Sequence, residues 1–279
     1  MSDFSCPGPT MLSQTALAAA HLLNERGIDG TFVAAIIIPT RTIRLSEDLT
    51  EAVSVPYADL PGFPDASISG EPARVIAGRL SGRKILVFEG RPHSFESGAE
   101  AGMRVVFETI AALNIQVAVL TGFAASLNAD WGRGALTIVR DHINLTGRNP
   151  LANDRTRERS VNMTNAYDAS LRRLFKLAAQ DSGISLNEGV LMWFPGPSFE
   201  TPAEVRMAKL LGADIASMSI APDTILARRF NLQVAALAGI SNLGAGLGGK
   251  TSTHGESSEA MLAGAVLIRR VISSMLKAL

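Results

Sequence analysis

The chain has little cysteine, little histidine and no net charge, and each shortage removes a class of protein. Cys6 is the one cysteine in 279 residues, which excludes an intrachain disulfide framework and a cysteine-rich zinc site. The four histidines, His21, His93, His142 and His254, lie far apart, and their separations match no metal-ligand spacing. Lysine plus arginine and aspartate plus glutamate both number 26, so there is no electrostatic footprint for nucleic acid or an anionic membrane. No apolar run approaches the ~20 residues of a membrane-spanning helix. The first residues lack the basic segment and apolar core of a secretory signal. A cytoplasmic protein is the expectation. Internal repeats and linkers are also missing.

What is present is apolar and alternating. The chain is 47% hydrophobic and 19% charged, enough to build a sizeable core. Helical patterns cover Met11 to Arg26, Gly98 to Leu113, Ala166 to Gln180 and Pro222 to Phe230, with a last one carrying Met261, Ala265, Ile268, Ile272, Met275 and Leu279 at helical spacing. Thr253 and Glu256 offer that last helix a capping box. Strand patterns fall at Thr31 to Ile38, Ala52 to Val55, Ala73 to Ala77, Lys84 to Phe88, Gln116 to Leu120, Leu136 to Val139, Val190 to Phe194, Asp214 to Ser217 and Gln233 to Ala238. Residues 146 to 163 are polar and aperiodic, which predicts a long surface loop of functional or interfacial use. Strands alternating with helices predict one α/β domain over residues 1–279. Its three layers are a central mixed sheet flanked by helices. In such a fold ligands bind at strand ends, here Thr40-Arg41, Arg91 to His93, Thr121 to Asn128, Glu200 and Asn242.

The most informative stretch is Gly196 to Glu204. Thr201 suits the N-cap, Pro202 the first helical position, and Glu204 completes a capping box. Phe199 and Glu200 are thereby set on a stiff strand-to-helix turn. An aromatic face beside a carboxylate suits a flat heterocycle bearing an N–H donor. The turn by itself favours the plainer reading, Phe199 as core and Glu200 as a solvated residue. Arg91 and His93 could together hold a phosphate dianion, or be a surface pair. Gly244 to Gly249 imitates a dinucleotide fingerprint, but no helix opens on it and no βαβ unit follows. Asp141-His142 has no nucleophile to form a triad.

Taken together, Gly90-Arg91-Pro92-His93-Ser94-Phe95-Glu96, Asp141-His142-Ile143-Asn144-Leu145, Gly196 to Thr201, Met218-Ser219 and Ile240-Ser241-Asn242 resemble the trimeric purine nucleoside phosphorylases. The resemblance is collinear from about residue 31 to the end. It implies phosphorolysis of 6-oxopurine nucleosides by a homotrimer, with inorganic phosphate as cosubstrate and neither cofactor nor metal. Glu200 would accept from purine N1–H, Asn242 would bond the N7/O6 edge, and Phe199 would pack on the base. Phosphate would be held by Arg91, His93, Thr40, Ser219 and the backbone near Phe123. Met218 would lie under the ribose and His254 would reach its 5′-hydroxyl.

The chain also departs from that family. Pro39-Thr40-Arg41-Thr42-Ile43 stands where a glycine-rich phosphate loop is expected. Glycine lets backbone approach an anion closely, and Arg41 offers a charged contact in its place. Phe95 stands where a tyrosine would touch the ribose 3′-hydroxyl, which predicts weaker discrimination there. Phe123 adds bulk to the base loop. Two other readings stay open: a hydrolase of the same fold, and a silent nucleoside-binding protein.

Overall fold

A strand covered on both faces must be apolar throughout, and Ala35–Ile38 (β1) is buried at all four positions. The computed structural model describes residues 12–39, 41–64, 73–96, 99–152, 154, 160–247 and 254–279. Eight more strands join β1: Thr50–Pro56 (β2), Arg74–Leu80 (β3), Arg83–Glu89 (β4), Val117–Ser126 (β5), Leu136–Asn144 (β6), Leu186–Trp193 (β7), Ile215–Ser217 (β8) and Gln233–Leu243 (β9). Their order is β2-β3-β4-β1-β5-β8-β7-β6-β9. β1 is parallel to β4 and β5, whereas β3 is antiparallel to β2 and β4, so the sheet is mixed. β9 also pairs in parallel with β5. The strands β5, β8, β7, β6 and β9 therefore close on themselves.

Helices cover both faces. Ile37 of β1 points into one core with Leu23 of α1 (Gln14–Glu25), Phe107 of α2 (Ala99–Ala112) and Leu226 of α5 (Ala221–Arg229). Its neighbours Ile36 and Ile38 point into the other, with Phe175 of α3 (Ala169–Asp181) and Ile268 and Ile272 of α6 (His254–Ala278), as the two-residue period of a strand requires. A smaller cluster under α4 (Pro202–Leu210) joins Val205 and Ala208 to Met192 and Leu127. The caps are where local chemistry asks for them. The Ser13 hydroxyl accepts from Ala16 N–H, Asp168 accepts from Ser170 and Leu171 N–H, and Thr201 with Glu204 forms the expected capping box.

Three strands run five or six residues past the carboxyl ends that local pattern predicts. β5 reaches Ser126, β6 Asn144 and β9 Leu243, so Thr121 to Ser126, Asp141 to Asn144 and Asn242 lie in strands rather than loops. Partners explain the extension: Phe123 pairs Gly239, Ala125 pairs Ala216, and His142 pairs Leu191. Conversely, Thr31 to Ala34 stay outside β1, and α1 starts at Gln14. The expected capping box at Thr253 and Glu256, and residues 1–11, lie outside the described residues or side chains.

The loop between β6 and α3 has no regular element among its described residues, yet it is anchored. Asp154 is buried, and one of its oxygens accepts from Arg229 Nε at 2.9 Å and faces Arg104 Nη1 at 3.1 Å. Those arginines belong to α5 and α2, so a single carboxylate binds the loop to two helices. Removing one member of a buried ion pair costs far more than an exposed one would. We expect Asp154→Ala to lower unfolding free energy by roughly 3–5 kcal/mol, read by urea denaturation. A loss under ~1 kcal/mol, the range of exposed pairs, would show that the loop is not anchored there.

Candidate active site

The carboxyl ends of β5, β8 and β9, with the turns that follow β1, β4 and β7, enclose a cavity of about 260 Å³. This is where an α/β sheet binds ligands. From the turn after β7 come Phe199 and Glu200, from β9 Ser241 and Asn242, from the end of β8 Ser217, Met218 and Ser219, and from the segment after β4 His93. The ring of Phe199 is 80% exposed at the mouth. That decides against Phe199 as core.

Glycines shape the walls. An ideal Cβ on Gly196, whose φ is +70°, would stand 2.6 Å from Met218 Sδ and 3.1 Å from the Phe95 ring. Only glycine lets those side chains close over the turn. A Cβ on Gly239 would stand 3.0 Å from two carbons of Phe123, so the Phe123 ring is seated against β9. Ser219 is presented differently. Ile220 has φ 70° and ψ −60°, and Ala221 N–H donates to Ser219 O at 2.8 Å. This is the rare positive-φ γ-turn, strained for a β-branched residue. Burial of the Ile220 side chain at 1% exposure holds it there.

The polar groups are ordered. Ser217 Oγ donates to Phe123 O at 2.9 Å and lies 3.3 Å from Ser219 Oγ. Ser241 Oγ donates to Asn242 Oδ1 at 2.7 Å, and Asn242 Nδ2 donates to Leu243 O at 2.9 Å. A carbonyl only accepts, so Leu243 fixes which amide atom faces it and leaves Asn242 one uncommitted N–H. Burial lifts the Glu200 carboxyl above its ordinary value; its own backbone N–H opposes this and Glu204 adds to it. His93 is shifted the other way. Burial lowers it first and the Arg91 charge second, with Glu96 and Asp223 pulling back. Its ring therefore stays neutral near pH 7. It stacks on Phe95 with centroids 5.1 Å apart and planes 7° from parallel, and its Nδ1 is buried without a partner.

Two expected site residues stand outside the cavity lining. Arg91 is not on the cavity wall: it is 3% exposed. Its fork is filled by Asp223, with Nε to Oδ2 at 2.6 Å and Nη2 to Oδ1 at 3.0 Å, while Nη1 donates to Pro92 O at 2.6 Å. Nor does Phe95 line the cavity; its ring supports His93 and covers Gly196. Thr40 and the side chains of Arg41 and His254 lie outside the description, although His254 opens α6. His142 is elsewhere, its Nδ1 3.0 Å from Tyr167 OH, and takes no part in the cavity.

Residues 34–277 match the family described as the phosphorylase superfamily. The chain belongs to that family. Within it the chain belongs with the purine nucleoside phosphorylases. It is 35% identical to the purine nucleoside phosphorylase of Mycobacterium leprae over 250 residues, covering 88% of this chain and 90% of that one. To the Cellulomonas enzyme of the same name it is 35% identical over 269 residues, covering 93% and 91%. A crystal structure of Schistosoma mansoni purine nucleoside phosphorylase in complex with inosine superposes with a TM-score of 0.87 at 26% identity, covering 95% of this chain and 96% of that one.

This member of the phosphorylase family has site residues that sequence reasoning missed. Met261 was legible as an apolar position of the last helix, yet it lines the cavity from α6. Asp223 carries no local signal, because an acidic residue in a first helical turn is commonplace. For Glu200 we expect the carboxyl carbon resonance to titrate above the ordinary value of 4.5. Glu204→Gln should bring the midpoint part-way down and leave it raised, since burial is the larger cause. A midpoint at or below 4.5 in the native chain would contradict this account of the site.

Proposed function

We propose that the chain catalyses reversible phosphorolysis of 6-oxopurine ribo- or deoxyribonucleosides to free base and pentose 1-phosphate. The observation that carries the reading is the pairing of Glu200, an acceptor, with Asn242, which keeps a free donor, on one cavity under an exposed Phe199 ring. A 6-oxopurine offers the complement: an N1–H donor, an O6/N7 acceptor edge and a flat face. Family membership and relatives that include an inosine complex support it.

In this reading Glu200 and Asn242 fix the base, and Asn242 stabilises the negative charge that grows on the purine as the N-glycosidic bond breaks. Met218 lies under the sugar. Phosphate takes the end of the cavity bounded by His93, Ser219 and Phe123, where it stabilises the sugar cation and then attacks the anomeric carbon. Neutral His93 contributes one N–H donor and Ser219 a hydroxyl. Thr40 enters toward phosphate and His254 toward the 5′-hydroxyl as the resemblance implies, and Arg41 supplies a charged contact in place of the missing glycine-rich loop. Arg91 enters through its charge and its two uncommitted N–H groups. No metal or cofactor is called for, and a homotrimer acting in the cytoplasm is inferred from the likeness to trimeric members. One observation favours the hydrolase as second reading: with the Arg91 fork filled by Asp223, water meets less competition from an anion.

A panel of inosine, guanosine and adenosine, assayed with and without phosphate, tests both. We expect base release from inosine and guanosine to require phosphate; undiminished release without it would establish the hydrolase instead. Glu200→Ala should lower kcat/KM for inosine by about 2–4 kcal/mol of transition-state stabilisation, the loss of a buried charge-assisted bond. An efficiency left nearly intact would move the base anchor elsewhere.

A further inference from the structure

A buried ion pair joins the two segments that bound the phosphate end of the cavity. Arg91 lies on the segment after β4, two residues before His93. Asp223 lies in the first turn of α5, four residues after Ser219. Their side chains are 3% and 4% exposed, and the contact is bidentate at 2.6 and 3.0 Å. Of the five guanidinium N–H groups, Asp223 takes two and Pro92 O one, leaving one on each terminal nitrogen. The guanidinium is thereby fixed in orientation, with the Asp223 carboxylate set against its charge.

We propose that Asp223 is a positioning residue for phosphate. Through Arg91 it pins the segment that carries His93 to the helix that follows Ser219, and it balances the guanidinium charge beside the His93 ring. The inference rests on the phosphorolytic reading above. The geometry accounts for both parts. The γ-turn at Ile220 presents Ser219 to the cavity. The Arg91–Asp223 contact joins the two segments behind the cavity lining, since neither side chain is part of that lining. Among the described residues, the charged groups that act on His93 are Arg91 from its own segment, Glu96 at the end of the same turn, and Asp223 from α5. Glu96 is engaged as well, its Oε1 accepting from His93 backbone N–H at 2.6 Å. Arg148, from the loop after β6, reaches Ser94 O at 3.4 Å, and Glu200 shares the cavity. With Asp223 neutral, Arg91 would face His93 with less opposing charge and its segment would be free to shift.

The test is steady-state kinetics of Asp223→Asn with inosine and phosphate varied separately, alongside NMR titration of the His93 ring. We expect the phosphate KM to rise at least tenfold while the inosine KM stays within about threefold. The His93 midpoint should fall below that of the native chain, because Arg91 opposes its protonation and Asp223 favours it. Thermal melting establishes that each variant folds. Asp223→Glu, which keeps the charge but displaces the guanidinium by a methylene, is the second variant. It should give a smaller rise in phosphate KM and leave the His93 midpoint within a few tenths of the native one. An unchanged phosphate KM in both variants overturns the proposal, as does an equal rise in both Michaelis constants, which would mark a purely structural pair. A phosphate KM that falls in Asp223→Asn also overturns it, showing that Asp223 competes with the anion for Arg91. If native base release does not depend on phosphate, the phosphorolytic reading itself fails and this proposal with it, an outcome distinct from the others.

Discussion

The closure of β5, β8, β7, β6 and β9 on themselves is the constraint on which the site depends. β5 is paired on one side with β9 in parallel and near its carboxyl end with β8 in antiparallel. That double pairing brings Ala124 and Ala125 to one cavity with Ser217 and Asn242, which lie about ninety residues or more further along the chain. Strand hydrogen bonds also hold these positions, with the β5–β9 register interrupted between Ala124 and Ala125, opposite Ser241. A rigid scaffold of this kind allows an exposed aromatic at the mouth without collapse onto it.

Precision within the cavity comes from local conflicts that the fold overrides. Ile220 adopts a backbone conformation that costs about 1–3 kcal/mol, and burial of its side chain enforces it. Glu200 is held where burial opposes its charge, and His93 where burial and Arg91 both oppose protonation. One carboxylate and one neutral imidazole are the result. That combination suits a base that presents an N–H and an anion that needs a hydrogen-bond donor.

The fold was readable because each buried strand and each amphipathic helix announces itself within ten residues. The capping box at Thr201 and Glu204 was readable for the same reason: both partners are three positions apart. Motif resemblance grouped Glu200, Asn242, Met218, Ser219, Phe123 and Phe199 as candidates, and they line one cavity. That Arg91 and Phe95 stand behind the cavity lining was not readable, because the partners that hold them there are distant in sequence. Asp223 is 132 residues from Arg91, and Gly196, which Phe95 covers, is about a hundred residues away.

By itself, then, the sequence determined the class of fold, the order of elements, the stiff turn at Gly196 to Thr201 and the family. Each rests on interactions between near neighbours or on residue types in fixed order. Tertiary structure alone decided how far β5, β6 and β9 extend, that Phe199 is exposed, that Asp154 ties a loop to two helices, and that Arg91 spends its fork on Asp223. The physical reason is common to all four. A strand end, a side chain's burial and an ion pair are settled by what lies across the fold, and no periodicity along the chain encodes that.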